Sequence, residues 1–137
     1  MGSKKLENTK RKKGIAIAAI IWMFSWISLA ISGVVSTGAL LFVIGCQFIF
    51  AIGEMVWSPI MPSIVNQLAP DHLRGRYNSA STNTWQIAMI AGPAVAGSML
   101  GAKLHWVWLA GLMIGLILVA IAALRLKLPD RPTQNSK

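Results

Sequence analysis

Acidic side chains are the scarcest chemistry here: four Asp and Glu stand against thirteen Lys and Arg, and charged residues make up only 12% of the 137. Soluble domains carry about a quarter, so this deficit, with hydrophobic residues at 55%, excludes an ordinary water-facing surface. Cysteine occurs once, at Cys46, so no intramolecular disulfide can form and no cysteine-based metal site exists. The two histidines, His72 and His105, lie far apart and have no carboxylate-rich neighbourhood. They read as interfacial residues, and no metal or cofactor is expected. Basic residues are plentiful, with a formal net charge of +9, but they sit between apolar runs and not on a domain that could present a basic stripe. Nucleic acid is therefore excluded as a partner.

What the chain has is long apolar runs. Four are long enough to span a hydrocarbon core of roughly 30 Å at 1.5 Å rise per residue: 15–35, 38–67, 77–101 and 104–124. They form one transmembrane region, 15–126, between a basic tail at 1–14 and a second tail at 127–137. The first run is not a signal peptide, because it stays uncharged well beyond the roughly 7 to 15 residues of a signal h-region. Leu6 breaks the myristoylation pattern that would follow Gly2. Six basic residues precede Ile15, two (Arg74 and Arg76) lie between the second and third runs, and four follow the fourth run, leaving Lys103 alone on the other side. Short cytoplasmic loops carry the excess of Lys and Arg, which predicts a multi-pass cell-membrane protein with both termini in the cytoplasm. Trp106 and Trp108 then sit beside Lys103 at the external interface.

The first and fourth runs are apolar nearly all round and read as lipid-facing or supporting helices. Gly97/Gly101 and Gly111/Gly115 repeat the spacing that lets helices approach closely. The second run differs. Gln47, Glu54 and Ser58 fall within about 40° of one another at 100° per residue, giving one polar face. A charged carboxylate at the depth of Glu54 costs roughly 2.5 to 3.5 kcal/mol on a translocon scale. Two readings follow: a protonatable or substrate-contacting group facing an aqueous cavity, or a neutral Glu bonded to a neighbouring helix. Pro59 and Pro62 predict a kink or an irregular end, and a gating hinge would need the same residues. In the third run, Ser79, Asn83 and Gln86 share a face that suits another protein surface or water.

Three segments carry a family resemblance: the mid-helix Gly53-Glu54 followed by prolines, APDHLRGRYN at 69–78, and GPAVAG at 92–97. Together, from Gly53 to Gly101, they resemble helices 10 and 11 of major facilitator superfamily transporters, most of all multidrug efflux members. The middle segment is the most specific, matching an A-P-x-x-x-R-G-R-Y-x-G connection through Asp71, Arg74, Gly75 and Arg76, with Ser79 where many members have Gly. The resemblance implies that the four helices correspond to helices 9 to 12 of the family. It places Gln47, Glu54 and Ser58 on the central cavity and Ser79, Asn83, Gln86, Gly92, Pro93 and Gly97 against the other half, with the outer helices facing lipid. GPAVAG resembles the C-terminal counterpart of the antiporter motif, while the signature of the N-terminal half does not occur.

The expected fold class is thus an all-α membrane protein, part of the C-terminal half of a major facilitator. A pathway in this family forms between two halves. The sequence reads as a truncated transporter, with a family role in proton-coupled efflux of small molecules or drugs, that does not transport alone and needs a missing half or another membrane subunit. An accessory or assembly subunit binding other membrane proteins is the alternative. A small homodimeric exporter would carry its coupling carboxylate in the first helix, which has none. An enzyme is not expected, because Glu54 is the one acidic side chain within the runs and has no evident partner.

Overall fold

The computed structural model describes residues 2–126, and no strand occurs among them. Four long helices follow in order: α1 Gly2–Ser32, α2 Ala39–Leu68, α3 Arg74–Gly101 and α4 His105–Arg125, with a short 3-10 turn at Asp71–Leu73 before α3. Three of them, α1 over Asn8–Ser32, α2 and α4, are long and apolar enough to cross a membrane. With 28 residues, α3 is also long enough, about 42 Å at 1.5 Å per residue. The polar series from Asn78 to Gln86 keeps it below the apolarity of the other three. The basic stretch expected as a tail continues α1 as helix from Gly2. Lys, Arg, Leu and Glu are good helix formers, and the only glycine between Gly2 and the apolar run is Gly14. The tail at 127–137 lies outside the described residues, as does Met1.

The connections follow from local chemistry. Gly38 precedes α2 at φ 80°, a left-handed conformation that glycine adopts without a Cβ penalty. After α2, Ala69 turns to the extended region that a following proline imposes, and Pro70 prevents the helix from continuing. Pro59 and Pro62 do not end α2, which runs on to Leu68.

α1 is the centre of the assembly, lying against both α2 and α4, whereas α3 touches only its sequence neighbours and buries no residue. The α1–α2 seam is built on small residues. Gly53 is buried and leaves room for the indole of Trp22, because a Cβ there would stand 2.5 Å from Trp22 Nε1. The same indole stacks on Phe50 at 5.8 Å between ring centroids and lies 5.4 Å from Trp57. Further along, buried Ser25 donates from Oγ to the Cys46 carbonyl at 3.0 Å, with Cys46 Sγ 3.2 Å away, and Ser28 donates to the Phe42 carbonyl at 2.9 Å. At the other end Ile15, Ile64 and Ala123 form an apolar cluster, packed by Trp57 and Ile60, that joins α1, α2 and α4. Just beyond it Arg11 donates to Gln67 at 2.7 Å, and Gln67 donates to Asn8 at 3.2 Å.

Candidate functional site

The polar face of α2 is set by its packing. Cys46, Gly53, Trp57, Ile60, Ile64 and Gln67 turn toward α1, and at 100° per residue Gln47, Glu54 and Ser58 lie about 100° further round. Gln47 and Ser58 are exposed, and Glu54 is half-buried. None of the three has a hydrogen-bond partner among the described residues. Pro59 and Pro62 add to this face, since each lacks an amide and so removes the helical hydrogen bond to the carbonyl four residues earlier, at Met55 and Ser58. The stretch 54–58 therefore offers a carboxyl, a hydroxyl and two carbonyls without their regular helical bond within about one turn of helix. Such a set can hold a proton, a cation or a polar ligand group, and in hydrocarbon it needs water or protein against it.

On α3, Ser79, Asn83, Gln86, Pro93 and Gly97 share one face with Ile90 by helical spacing. All of them are exposed, and no atom comes within 4 Å of a Cβ built at Gly97. Gly92 does not belong to this row. It is half-buried, on the flank with Ser81, Ala96 and Met99, and Met99 meets α4. α3 is held at its start by Asn78, which donates to Asn66 of α2 at 3.0 Å. In the connection, Asp71 and Arg74 pair with each other at 2.7 Å and stand exposed, as do Gly75 and Arg76. An exposed pair at this spacing contributes about 0.3 to 0.5 kcal/mol at most, so the loop motif is not a fastening within this chain.

An apolar groove of about 370 Å³ runs between α3 and α4, lined by Met99, Val107, Trp108, Gly111, Leu112, Gly115 and Leu116. Gly111 and Gly115 thus line a groove instead of a close helix contact, and no described atom approaches the Cβ position of either. Trp108, expected at the external interface, closes one part of this groove, while Trp106 is exposed.

Sequence reasoning did not find the partnership of Trp22 with Gly53 or the buried Ser25–Cys46 pair. A tryptophan well inside an apolar run, away from the interfaces where indoles concentrate, was the available signal for the first. Nothing in the sequence marked Ser25 for burial over the neighbouring Ser28 and Ser32.

An all-α fold with three membrane-length apolar helices defines a multi-pass membrane protein. The model of the Major Facilitator Superfamily matches residues 6–137, and the chain belongs to that superfamily, a family of transporters. No curated protein and no solved structure matches it.

Proposed function

We propose that this chain works as part of a major facilitator-type transporter and that α1 to α4 correspond to helices 9 to 12 of that architecture. Proton-coupled efflux of small molecules or drugs is then the family role. In this reading Gln47, Glu54 and Ser58 line the substrate or proton path. Ser79, Asn83, Gln86, Pro93 and Gly97 pack against the opposing half, with Gly92 turned away from that surface. The observation that carries the reading is the placement of polarity: these side chains lie on the outside of the four described helices, where Glu54 has no partner. Four helices with their polar faces outward enclose no path, and alternating access in this family needs two opposed halves. The chain alone therefore does not transport.

Everted membrane vesicles carrying the chain should show no drug export or drug-driven proton movement above an empty-vector control. Export that is lost in Glu54→Gln would overturn the need for an opposing half and point to self-assembly around one path. Co-purification with an unrelated membrane complex, unaffected by Glu54→Gln, would favour the accessory-subunit reading. The proposed topology has both termini in the cytoplasm. Reporter fusions at Lys103 and Lys137 should then report opposite sides, and the same side for both would break the four-span assignment of α3.

A further inference from the structure

One cluster of charge is absorbed by none of the preceding roles. Ile15, Ile64 and Ala123 meet in one cluster, so the ends of α1, α2 and α4 reach the same membrane edge there. Lys12 and Lys13 come two to three residues before Ile15 and Arg125 two residues after Ala123, about 3 to 5 Å beyond the cluster on antiparallel helices. α1 touches no other long helix than α2 and α4. Its α2 face is marked by Arg11, Gly14, Trp22 and Ser25. Lys12 shares a different face, with buried Ala16 and Ala19, and that face is the one left for α4. Lys12 is half-buried, Lys13 a further 100° round is exposed, and Arg125 is exposed at the end of α4. None of these three cations has a partner among the described residues. No acid occurs between Asn8 and Ser32 or in α4, and Glu54 lies about 15 Å further into α2 than Ile64. At the opposite edge the only cation in the 102–108 stretch is Lys103.

We propose that Lys12, Lys13 and Arg125 form a binding site for the phosphate of an anionic phospholipid, seated at the joint between the ends of α1 and α4. The apolar flanks of the two helices just below would take its acyl chains. Three cations at headgroup depth, uncompensated by any described carboxylate, attract a monoanionic phosphodiester and gain less from a zwitterionic one, whose ammonium offsets the charge. The site does not depend on the transport proposal, only on the membrane embedding of α1 and α4. It also differs from the pairing of Arg11 with Gln67, which holds α1 to α2 and leaves that arginine out of the clamp.

The test is native mass spectrometry of the full chain, released from mild detergent at low ionic strength with equimolar phosphatidylglycerol and phosphatidylcholine. The chain should retain phosphatidylglycerol preferentially, with the preference falling about fivefold for each cation neutralised near the surface. The triple variant K12Q/K13Q/R125Q should retain both lipids equally, whereas K12R/K13R and K103Q should keep the preference. The single variant R125Q, altered only at an exposed helix end, gives a fivefold drop that does not depend on the fold of the triple variant. Equal retention by the unaltered chain, a preference that survives in the triple variant, or an equal loss in K103Q would each overturn the proposal. Abolition of the preference by millimolar inorganic phosphate would assign the site to a soluble anion and overturn it likewise.

Discussion

The seam between α1 and α2 and the bare flank of α3 are made from overlapping materials and behave oppositely. Both contain glycine, serine and polar amide residues at helical spacing. In the seam Gly53 is filled by an indole and Ser25 by a carbonyl, while on α3 Gly97 meets nothing and Ser79, Asn83 and Gln86 stand open. The difference lies in what surrounds them. α1 and α2 carry long apolar stretches, and the small and polar positions that face each other in the seam serve to bring the two helices together. α3 has polar side chains through its first half and contacts only its neighbours in sequence. In hydrocarbon such a face is costly to leave open, because interhelical hydrogen bonds return only about 0.6 to 2 kcal/mol each and the desolvation of polar groups exceeds that. Small residues thus line a contact in the seam and open space on α3, where the proposed opposing half would pack.

The sharpest way to break this comparison is to add the same bulk to both sides. Gly53→Val drives a branched side chain into Trp22 in a seam already closed by Phe50 and Trp57, and over-packing of this kind costs about 1 to 3 kcal/mol. Gly97→Val in the isolated chain should change stability by about 0.5 kcal/mol or less, as expected for a position with open space beside it. Denaturant titration in mixed micelles, followed by Trp fluorescence, separates the two. If the variants prove equally damaging, α3 is packed in the isolated chain and its flank is not free. Repeating Gly97→Val with an opposing half supplied in trans sharpens the point, since there it should block co-purification.

The helices were legible in the sequence because apolar length is a one-dimensional property: the runs 38–67 and 104–124 fall within one or two residues of α2 and α4. The continuation of α1 back to Gly2 was not, because a hydropathy reading sees the loss of apolarity at Lys13 and not the persistence of helix through basic residues that favour it. Similarly, the shared face of Gln47, Glu54 and Ser58 follows from spacing alone. What that face looks onto depends on which side of α2 the other helices occupy, and only the contacts of Cys46, Gly53 and Gln67 with α1 fix that. Gly92 shows the same limit in reverse. It stands beside Pro93 in the motif, yet one residue on a helix is 100°, and the two fall on different flanks.

A second test asks whether the open faces meet water or protein. With Cys46 replaced by Ser to remove the native thiol, single cysteines at 54, 58, 83 and 86 should react with a membrane-impermeant maleimide or crosslink to a second chain. Cysteines at 19 and 118 should do neither, for different reasons: Ala19 is sealed between helices, and Leu118 is exposed on an apolar helix proposed to face lipid. A difference of roughly tenfold in labelling rate, about 1.4 kcal/mol in barrier, is well within what such a labelling series resolves. Uniform silence at all six positions would remove the water-reached face, and Glu54 would then be a packing residue.

The smallest expected effect concerns the seam's own polar bond. Ser25 is about 1% exposed and gives its hydroxyl to the Cys46 carbonyl, whereas Ser79 on α3 is exposed and makes no hydrogen bond to a described residue. The Cys46 carbonyl belongs to the helical ladder and keeps a bond to the amide of Phe50, so Ser25→Ala leaves no orphaned acceptor and removes only a second, supporting bond. The loss should therefore fall at the low end for interhelical bonds in membranes, about 0.6 kcal/mol, with Ser79→Ala indistinguishable from the parent chain. Ser25→Val discriminates further, because it removes the same bond while adding volume where Cys46 Sγ lies 3.2 Å from the hydroxyl. If Ser25→Ala costs little and Ser25→Val costs more than 1 kcal/mol, the position is chosen for its size first and its hydroxyl second. A larger loss from Ser25→Ala than from Ser25→Val would reverse that order and make the hydrogen bond, not the close approach, the reason α1 and α2 meet there.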